Sequence, residues 1–314
     1  MAPGSPTKPL SVYTPALEAG YAVDAEVMDD DSLTYGDDAY SVSNYDRNSL
    51  YDTLPMYQAI AESKNTSAVW LLDKLGIQRG ISKLEDFGIS IGEADENLGA
   101  IALGGMSKGV TPVQLASAYT TFVNEGVRTQ ARFITKIVDA TGAVIVDNTK
   151  PKTNRVTTAA VAEEMTSMLM GVYADGGTGA SAQPSNGMVI AGKTGTTELD
   201  RETGYIKSQW MVGYTPDLVV ATWLGYDKTN EIYNLNNAGK TMANLYSAEM
   251  GALLSISPQT EFAVAAAEET YDSGIINGLK NGLDEFMNDM GSFGQSLGEG
   301  SKKLFDWANE AFGQ

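Results

Sequence analysis

The spacing of apolar and polar positions changes several times along the 314 residues, and each change marks an element. Residues 5–19 read as a helix, with Ser5 at the N-cap, Pro6 at the first helical position and Gly20 as the stop. Pro15 predicts a kink in its last turns. Residues 21–54 hold turn signals and the run Asp29-Asp30-Asp31, which predicts mostly loop. Adjacent carboxylates point apart, so that run reads as a solvated face rather than a metal site. Helical spacing returns in LPMYQAIAES, breaks at Ser63-Lys64-Asn65, resumes in SAVWLLDKLG and recurs over 77–87. VTPVQLASAYTTFVNEG predicts a helix with Thr111 as N-cap, Pro112 as first residue and Gly126 as terminator. RFITKIVDATGAVIVDN alternates on both sides of Thr141-Gly142 and predicts a β-hairpin. A helix over 158–173 follows, then three strands (MVIAGKTGTT, SQWMVGYT, LVVATWLGYD) and a closing helix near 243–255. Helices, then strands, then a helix predict an α+β fold: an antiparallel sheet flanked by helices, not alternating βαβ units.

The pattern changes character after residue 262. Leu279, Leu283, Phe286, Met290, Phe293 and Leu297 form the apolar seam of an amphipathic helix. Gly278, Gly282, Gly291, Gly294, Gly298 and Gly300 oppose it, at about 1 kcal/mol each in a helix interior. The expected division is a domain over 1–262 and an extension over 263–314, a marginal helix or a frayed tail, with a partner-binding helix as the alternative.

Composition narrows the chemistry. With no histidine and no cysteine, a Ser-His-Asp triad, an imidazole metal site and a thiolate nucleophile are all excluded. Any covalent catalysis must use a hydroxyl nucleophile and a lysine or carboxylate base. A net charge of -19 argues against nucleic acid and anionic membrane surfaces as partners. No apolar run reaches membrane-spanning length.

Three short patterns fit those limits. Ser5 and Lys8 stand one helical turn apart, on one face. Lysine can accept the serine proton only when neutral, which requires desolvation or a second cation nearby. Ser63-Lys64-Asn65 occupies the break between two helices, where polar residues commonly serve as caps. Lys193-Thr194-Gly195-Thr196 ends an apolar strand, and alternation puts Lys193 and Gly195 on one face, Thr194 and Thr196 on the other. Gly195 could equally begin a hairpin turn, or mark a close approach to the strand.

S-x-x-K on a helix, S-x-N between helices and K-T-G on a strand, in that order, form a known set. The chain resembles the transpeptidase domain of the class A, bifunctional penicillin-binding proteins of bacteria. The likeness extends through PGSPTKPLSVYTPALEAG, YSVSNYD, AIAESKNTSAVWLLDKLGI, ALGGMSKGVTPVQLASAYTTFVNEG and WMVGYTPDLVVATWLGYD, as far as about Phe262. It implies the fold shared by penicillin-binding transpeptidases and serine β-lactamases, and an extracytoplasmic enzyme that cross-links peptidoglycan stem peptides. Ser5 would attack a D-alanyl-D-alanine terminus to form an acyl-enzyme, with Lys8 as general base. Ser63 would relay a proton to the leaving D-alanine, and Asn65 would hold a substrate amide. Lys193 would keep the site electropositive while Thr194 and Thr196 bind the substrate carboxylate. The N–H groups of Ser5 and Thr196 would form the oxyanion hole, and the stem peptide would lie along the Lys193–Thr196 strand. β-Lactam antibiotics would enter as mimics of the same terminus; no cofactor or metal is implied.

Two departures stand out. Pro6 occupies a position where the family usually carries another residue, at no hydrogen-bonding cost at a helix start. In the family a membrane anchor, a glycosyltransferase domain and the first strands of the sheet precede the nucleophile, whereas this chain begins four residues before Ser5. It therefore reads as a domain lacking its N-terminal strands, with an open sheet edge, and glycan polymerisation is not carried over. The competing readings are a serine β-lactamase, which needs a base for the deacylating water, and a non-catalytic cell-wall-binding fragment.

Overall fold

Three prolines shape the first helical rod. The structure, a computed structural model, describes residues 1–37, 39–46, 50–200, 205–235 and 239–271. The rod opens as a 3-10 turn, Ser5–Thr7, widens into a π-helix over Pro9–Tyr13 and closes as α1 (Thr14–Glu18). Gly4, at φ 64°, is the N-cap, so Ser5 is the first helical residue and not the cap that its sequence position suggested. Pro9 and Pro15 each withdraw an amide hydrogen. The Thr14 N–H and hydroxyl both reach the Pro9 carbonyl, so the disturbance expected at Pro15 takes the form of a wider turn just before it. Every residue from Pro6 to Leu17 is buried, as a helix without a polar face must be.

The stretch expected to be mostly loop carries two small ribbons. Strand β1 (Glu26–Asp29) is followed by β2 (Thr34–Tyr35), β3 (Tyr40–Ser41) and β4 (Asp52–Pro55); β1 pairs with β4 and β2 with β3, both antiparallel. Alternation in β1 turns Val27 and Asp29 inward. Asp29 is 1% exposed, which corrects the reading of the acidic run as a solvated face.

Around the rod stand α2 (Met56–Ala61), α3 (Asn65–Leu75), α4 (Ile77–Asp86) and α5 (Leu98–Leu103). α4 meets the rod at Gly80, where a β-carbon would come within 2.9 Å of the Ser11 carbonyl oxygen. α6 (Pro112–Val123) begins with a capping box between Thr111 and Gln114. Next come β5 (Val127–Thr129), the expected hairpin of β6 (Lys136–Val138) and β7 (Val144–Asp147), and β8 (Thr153–Arg155), which pairs with β5. α7 (Ala159–Met170) is capped by the Thr158 side chain.

The main sheet holds β9 (Ala191–Asp200), β10 (Tyr205–Thr215) and β11 (Leu218–Gly225), antiparallel in the order β11-β10-β9. Gly195 lies within β9 opposite Trp210, so the alternative of a hairpin turn at that glycine does not hold. Among the described residues β11 pairs only with β10, and all of its residues are half-exposed. α8 (Gly239–Leu254) closes over the sheet, stacking Tyr246 on Tyr173, and α9 spans Ala267–Tyr271. Residues Met1–Ala267 form one compact unit. The seam from Leu279 to Leu297 lies outside the described residues. No described helix is long and apolar enough to cross a membrane.

Candidate active site

Ser5 is half-buried, and the backbone on both sides of it is held from several directions. Gly4 donates its N–H to the Gly104 carbonyl at 3.1 Å, and Val110 donates to the Met1 carbonyl at 2.7 Å. The Trp210 indole N–H reaches the Ala2 carbonyl at 2.9 Å. The Thr7 hydroxyl bonds the Gly4 carbonyl at 2.6 Å, and the Tyr119 hydroxyl bonds the Pro6 carbonyl at 2.8 Å. Gly104 (φ 73°) faces the Gly4 backbone so closely that a β-carbon would overlap it. The Ser5 N–H belongs to the first helical turn, whose donors have no acceptor within the helix.

Lys8 is wholly buried beneath this turn. Its Nζ donates to the Ser63 carbonyl at 2.7 Å, the Lys64 carbonyl at 3.1 Å and Asn65 Oδ1 at 2.7 Å, with Ser63 Oγ at 3.4 Å. Burial first, and the Lys193 ammonium second, push the Lys8 amine well below the usual lysine range. As a neutral amine it has two N–H donors, enough for two of the three nearer oxygens at a time, and one lone pair for a proton. The Ser5 hydroxyl makes no hydrogen bond among the described residues. The Lys8 amine therefore faces the Ser63–Asn65 turn.

Ser63 adopts φ 59°, an uncommon conformation for a residue with a β-carbon, and so turns the chain sharply between α2 and α3. That turn points three successive residues at one lysine. The sequence break at Ser63-Lys64-Asn65 was legible, and capping does not account for it: Lys64 is the N-cap of α3 and makes no side-chain cap bond.

The third motif arrives from the sheet. Lys193 is fully buried and Gly195 buried, while Thr194 is half-exposed and Thr196 exposed, as strand alternation requires. Burial depresses Lys193 to about 7. β9 lies against the Ser5 turn: a β-carbon on Gly4 would stand 3.1 Å from Thr197 Cγ2 and 3.4 Å from the Thr196 carbonyl oxygen. In the sheet order β9 is terminal, and its outer edge has no strand partner among the described residues.

Other residues at the site gave little sequence signal. Thr178 donates its N–H to the Ala61 carbonyl at 3.2 Å, and its hydroxyl lies 2.6 Å from Thr194 Oγ1. It thus links the end of α2 to the K-T-G strand, yet its sequence context, Gly176-Gly177-Thr178-Gly179, reads only as a turn. Asp29, Asn44 and Thr66 form a buried cluster behind Asn65. No group of three or more acidic side chains among the described residues could hold a metal ion.

Comparisons with known proteins give the family. A family model described as "Penicillin binding protein transpeptidase domain" matches residues 1–247. Penicillin-binding protein 2a of Streptococcus pneumoniae is 40% identical over 268 residues, 84% of this chain and 35% of that protein. Penicillin-binding protein 1F of Bacillus subtilis is 39% identical over 245 residues, 78% of this chain and 33% of that protein. The chain thus spans about a third of the length of these relatives. Among solved structures, the penicillin-binding protein PonA1 from Mycobacterium tuberculosis superposes with a TM-score of 0.72 at 26% identity, covering 85% of this chain and 72% of that one. Its complex with penicillin V gives a TM-score of 0.70 at 25% identity. A match across most of the chain, with all three motifs gathered at one site, shows that the chain belongs to the penicillin-binding protein transpeptidase family.

Proposed function

We propose that the chain is a serine D,D-transpeptidase acting on D-alanyl-D-alanine termini of peptidoglycan stem peptides, outside the cytoplasmic membrane. The observation that carries this is the Lys8 amine: buried, held low in pKa, and hydrogen-bonded to both Ser63 and Asn65 one turn beyond Ser5. Ser5 Oγ bonds to the carbonyl carbon of the penultimate D-alanine while its proton passes to Lys8. Developing negative charge is met by the N–H groups of Ser5 and Thr196. The C–N bond then breaks, and the proton reaches the departing D-alanine amine by way of Ser63. An amine from a second stem peptide attacks the ester and releases Ser5. Thr194 and Thr196, with Lys193 behind them, hold the terminal carboxylate, and the stem peptide adds along the outer edge of β9.

A β-lactam enters the same path but leaves no departing group to diffuse away, so the acyl-enzyme persists. The hydrogen-bond acceptors around Lys8 are main-chain carbonyls, an amide and a hydroxyl, with no carboxylate among them to activate a deacylating water. This favours the transpeptidase over the β-lactamase reading. The test is labelling with a fluorescent penicillin followed by peptide mass mapping. The adduct is expected on Ser5, lasting hours, and absent from Ser5→Ala. Rapid turnover would indicate a β-lactamase; a folded chain that takes no label would indicate a non-catalytic fragment.

A further inference from the structure

The turn that receives Lys8 is anchored by a buried carboxylate with no part in the chemistry above. Asp29 Oδ1 accepts from Asn44 Nδ2 at 2.6 Å and from the Thr66 hydroxyl. Asp29 Oδ2 accepts from the Tyr51 N–H at 3.3 Å and lies 3.7 Å from Lys64 Nζ. An ionised carboxylate can only accept, so Asn44 must present its NH2 group to Asp29. Its Oδ1 then faces the start of α3, where it accepts the Asn65 N–H at 2.7 Å and the Thr66 N–H at 3.3 Å. These are first-turn donors of a helix whose own N-cap, Lys64, supplies no side-chain acceptor.

The chain of polarity continues into the site. Asn65 donates Nδ2–H to the Ser43 carbonyl at 3.1 Å, which leaves Oδ1 for Lys8 Nζ. The side chain of Lys64, the residue whose carbonyl is another Lys8 acceptor, is drawn to the same Asp29 carboxylate and to Glu62 at 3.1 Å. Ser63, which supplies the remaining carbonyl, sits at φ 59° and needs its neighbours fixed to stay there.

We propose that Asp29, acting through Asn44, is a positioning residue for acylation: it sets the amide orientation of Asn44 and thereby locks the Ser63–Asn65 turn onto Lys8. The inference rests on Lys8 being the base for Ser5. Asp29 touches neither substrate nor reacting atoms, so it acts only through the turn, and its main effect is expected on the chemical step.

The test measures the first-order acylation constant at saturating benzylpenicillin separately from the half-saturating concentration, on the whole chain, with near-UV circular dichroism confirming the fold. Asp29→Asn replaces an acceptor-only group by one that can donate or accept, so the Asn44 amide is no longer held in one orientation and can turn over. Asn44→Asp sets a second carboxylate against the first. The double variant Asp29→Asn/Asn44→Asp restores a donor facing an acceptor, with their positions exchanged, and keeps an acceptor toward α3. Each single variant is expected to lower the first-order constant by about tenfold or more, because sub-ångström misplacement of a base is costly in rate. The half-saturating concentration should change by less than about threefold, and the double variant should recover most of the lost rate. A folded Asp29→Asn chain with the wild-type first-order constant overturns the proposal, as does a folded double variant no faster than the slower single one. If Asn44→Asp does not fold, Asp29→Asn, which exchanges one oxygen for nitrogen, decides by the same measurement. Ser5→Ala run alongside separates the two levels: labelling that survives it overturns the nucleophile assignment, not the positioning role alone.

Discussion

The ring of Pro6 lies directly over the α-carbon of Gly195, so closely that a β-carbon at 195 would overlap Pro6 Cδ and stand 3.2 Å from the Pro3 carbonyl oxygen. The residue after Ser5 thus touches the glycine that ends the K-T-G motif. The unusual proline and the strand glycine, which seemed unrelated in sequence, are two sides of one contact. It sets the spacing between Ser5 and the strand that carries Thr194 and Thr196.

Gly195→Ala should therefore push β9 away from the Ser5 turn. Overpacking of this kind costs about 1–3 kcal/mol in a well-packed core. Thermal unfolding should show the lost stability, and penicillin labelling should slow by more than the unfolded fraction explains. Labelling at the wild-type rate would mean that the contact does not set the spacing.

Tyr119→Phe removes the hydroxyl that bonds the Pro6 carbonyl in the core. The stranded acceptor should cost about 1–3 kcal/mol, read from urea unfolding. Because Pro6 adjoins Ser5, the proposed nucleophile, acylation should slow as well; unchanged stability and rate would remove Tyr119 from the brace.

The two buried lysines repel, and this makes a prediction with a definite sign. With Lys8 as the proposed base, acylation requires its neutral form, so the rate should fall as pH drops through the Lys8 pKa. The Lys193 charge lowers that pKa. Lys193→Met removes the charge, raises the Lys8 pKa and should move the acid limb of the first-order acylation constant to higher pH. In the wild-type chain Lys193 itself loses its proton as pH rises through about 7, so affinity for a carboxylate-bearing β-lactam should weaken across that range. An acid limb that stays in place, or moves down, contradicts the coupling.

Thr196→Val keeps the main-chain N–H but deletes an exposed hydroxyl assigned to the substrate carboxylate. Loss of one charge-assisted hydrogen bond should raise the acylation barrier by about 1.5–3 kcal/mol with the fold intact. Wild-type acylation kinetics would take the hydroxyl out of the carboxylate site.

Local regularities made much of this protein legible in its sequence. The Thr111-Pro112 helix start, the Thr141-Gly142 hairpin and the three strands of the main sheet follow from caps, turn residues and alternation, each a matter of neighbours within a few positions. The absence of histidine and cysteine, with three motifs in order, already pointed to Ser5, Lys8, Ser63, Asn65 and the Lys193–Thr196 strand. Burial was not legible in the same way. Asp29 and its neighbour Asp30 are the same residue type, yet one is sealed inside and the other caps an exposed turn at Ser32. The difference comes from which side of β1 faces α3, and the strand that holds β1 there is β4, more than twenty residues away. The depressed pKa of Lys8 likewise depends on burial and on Lys193, 185 positions along the chain. Side-chain types and spacings determined what chemistry was available; only tertiary packing decided which charges lost their water, and loss of water is what turns a lysine into a base.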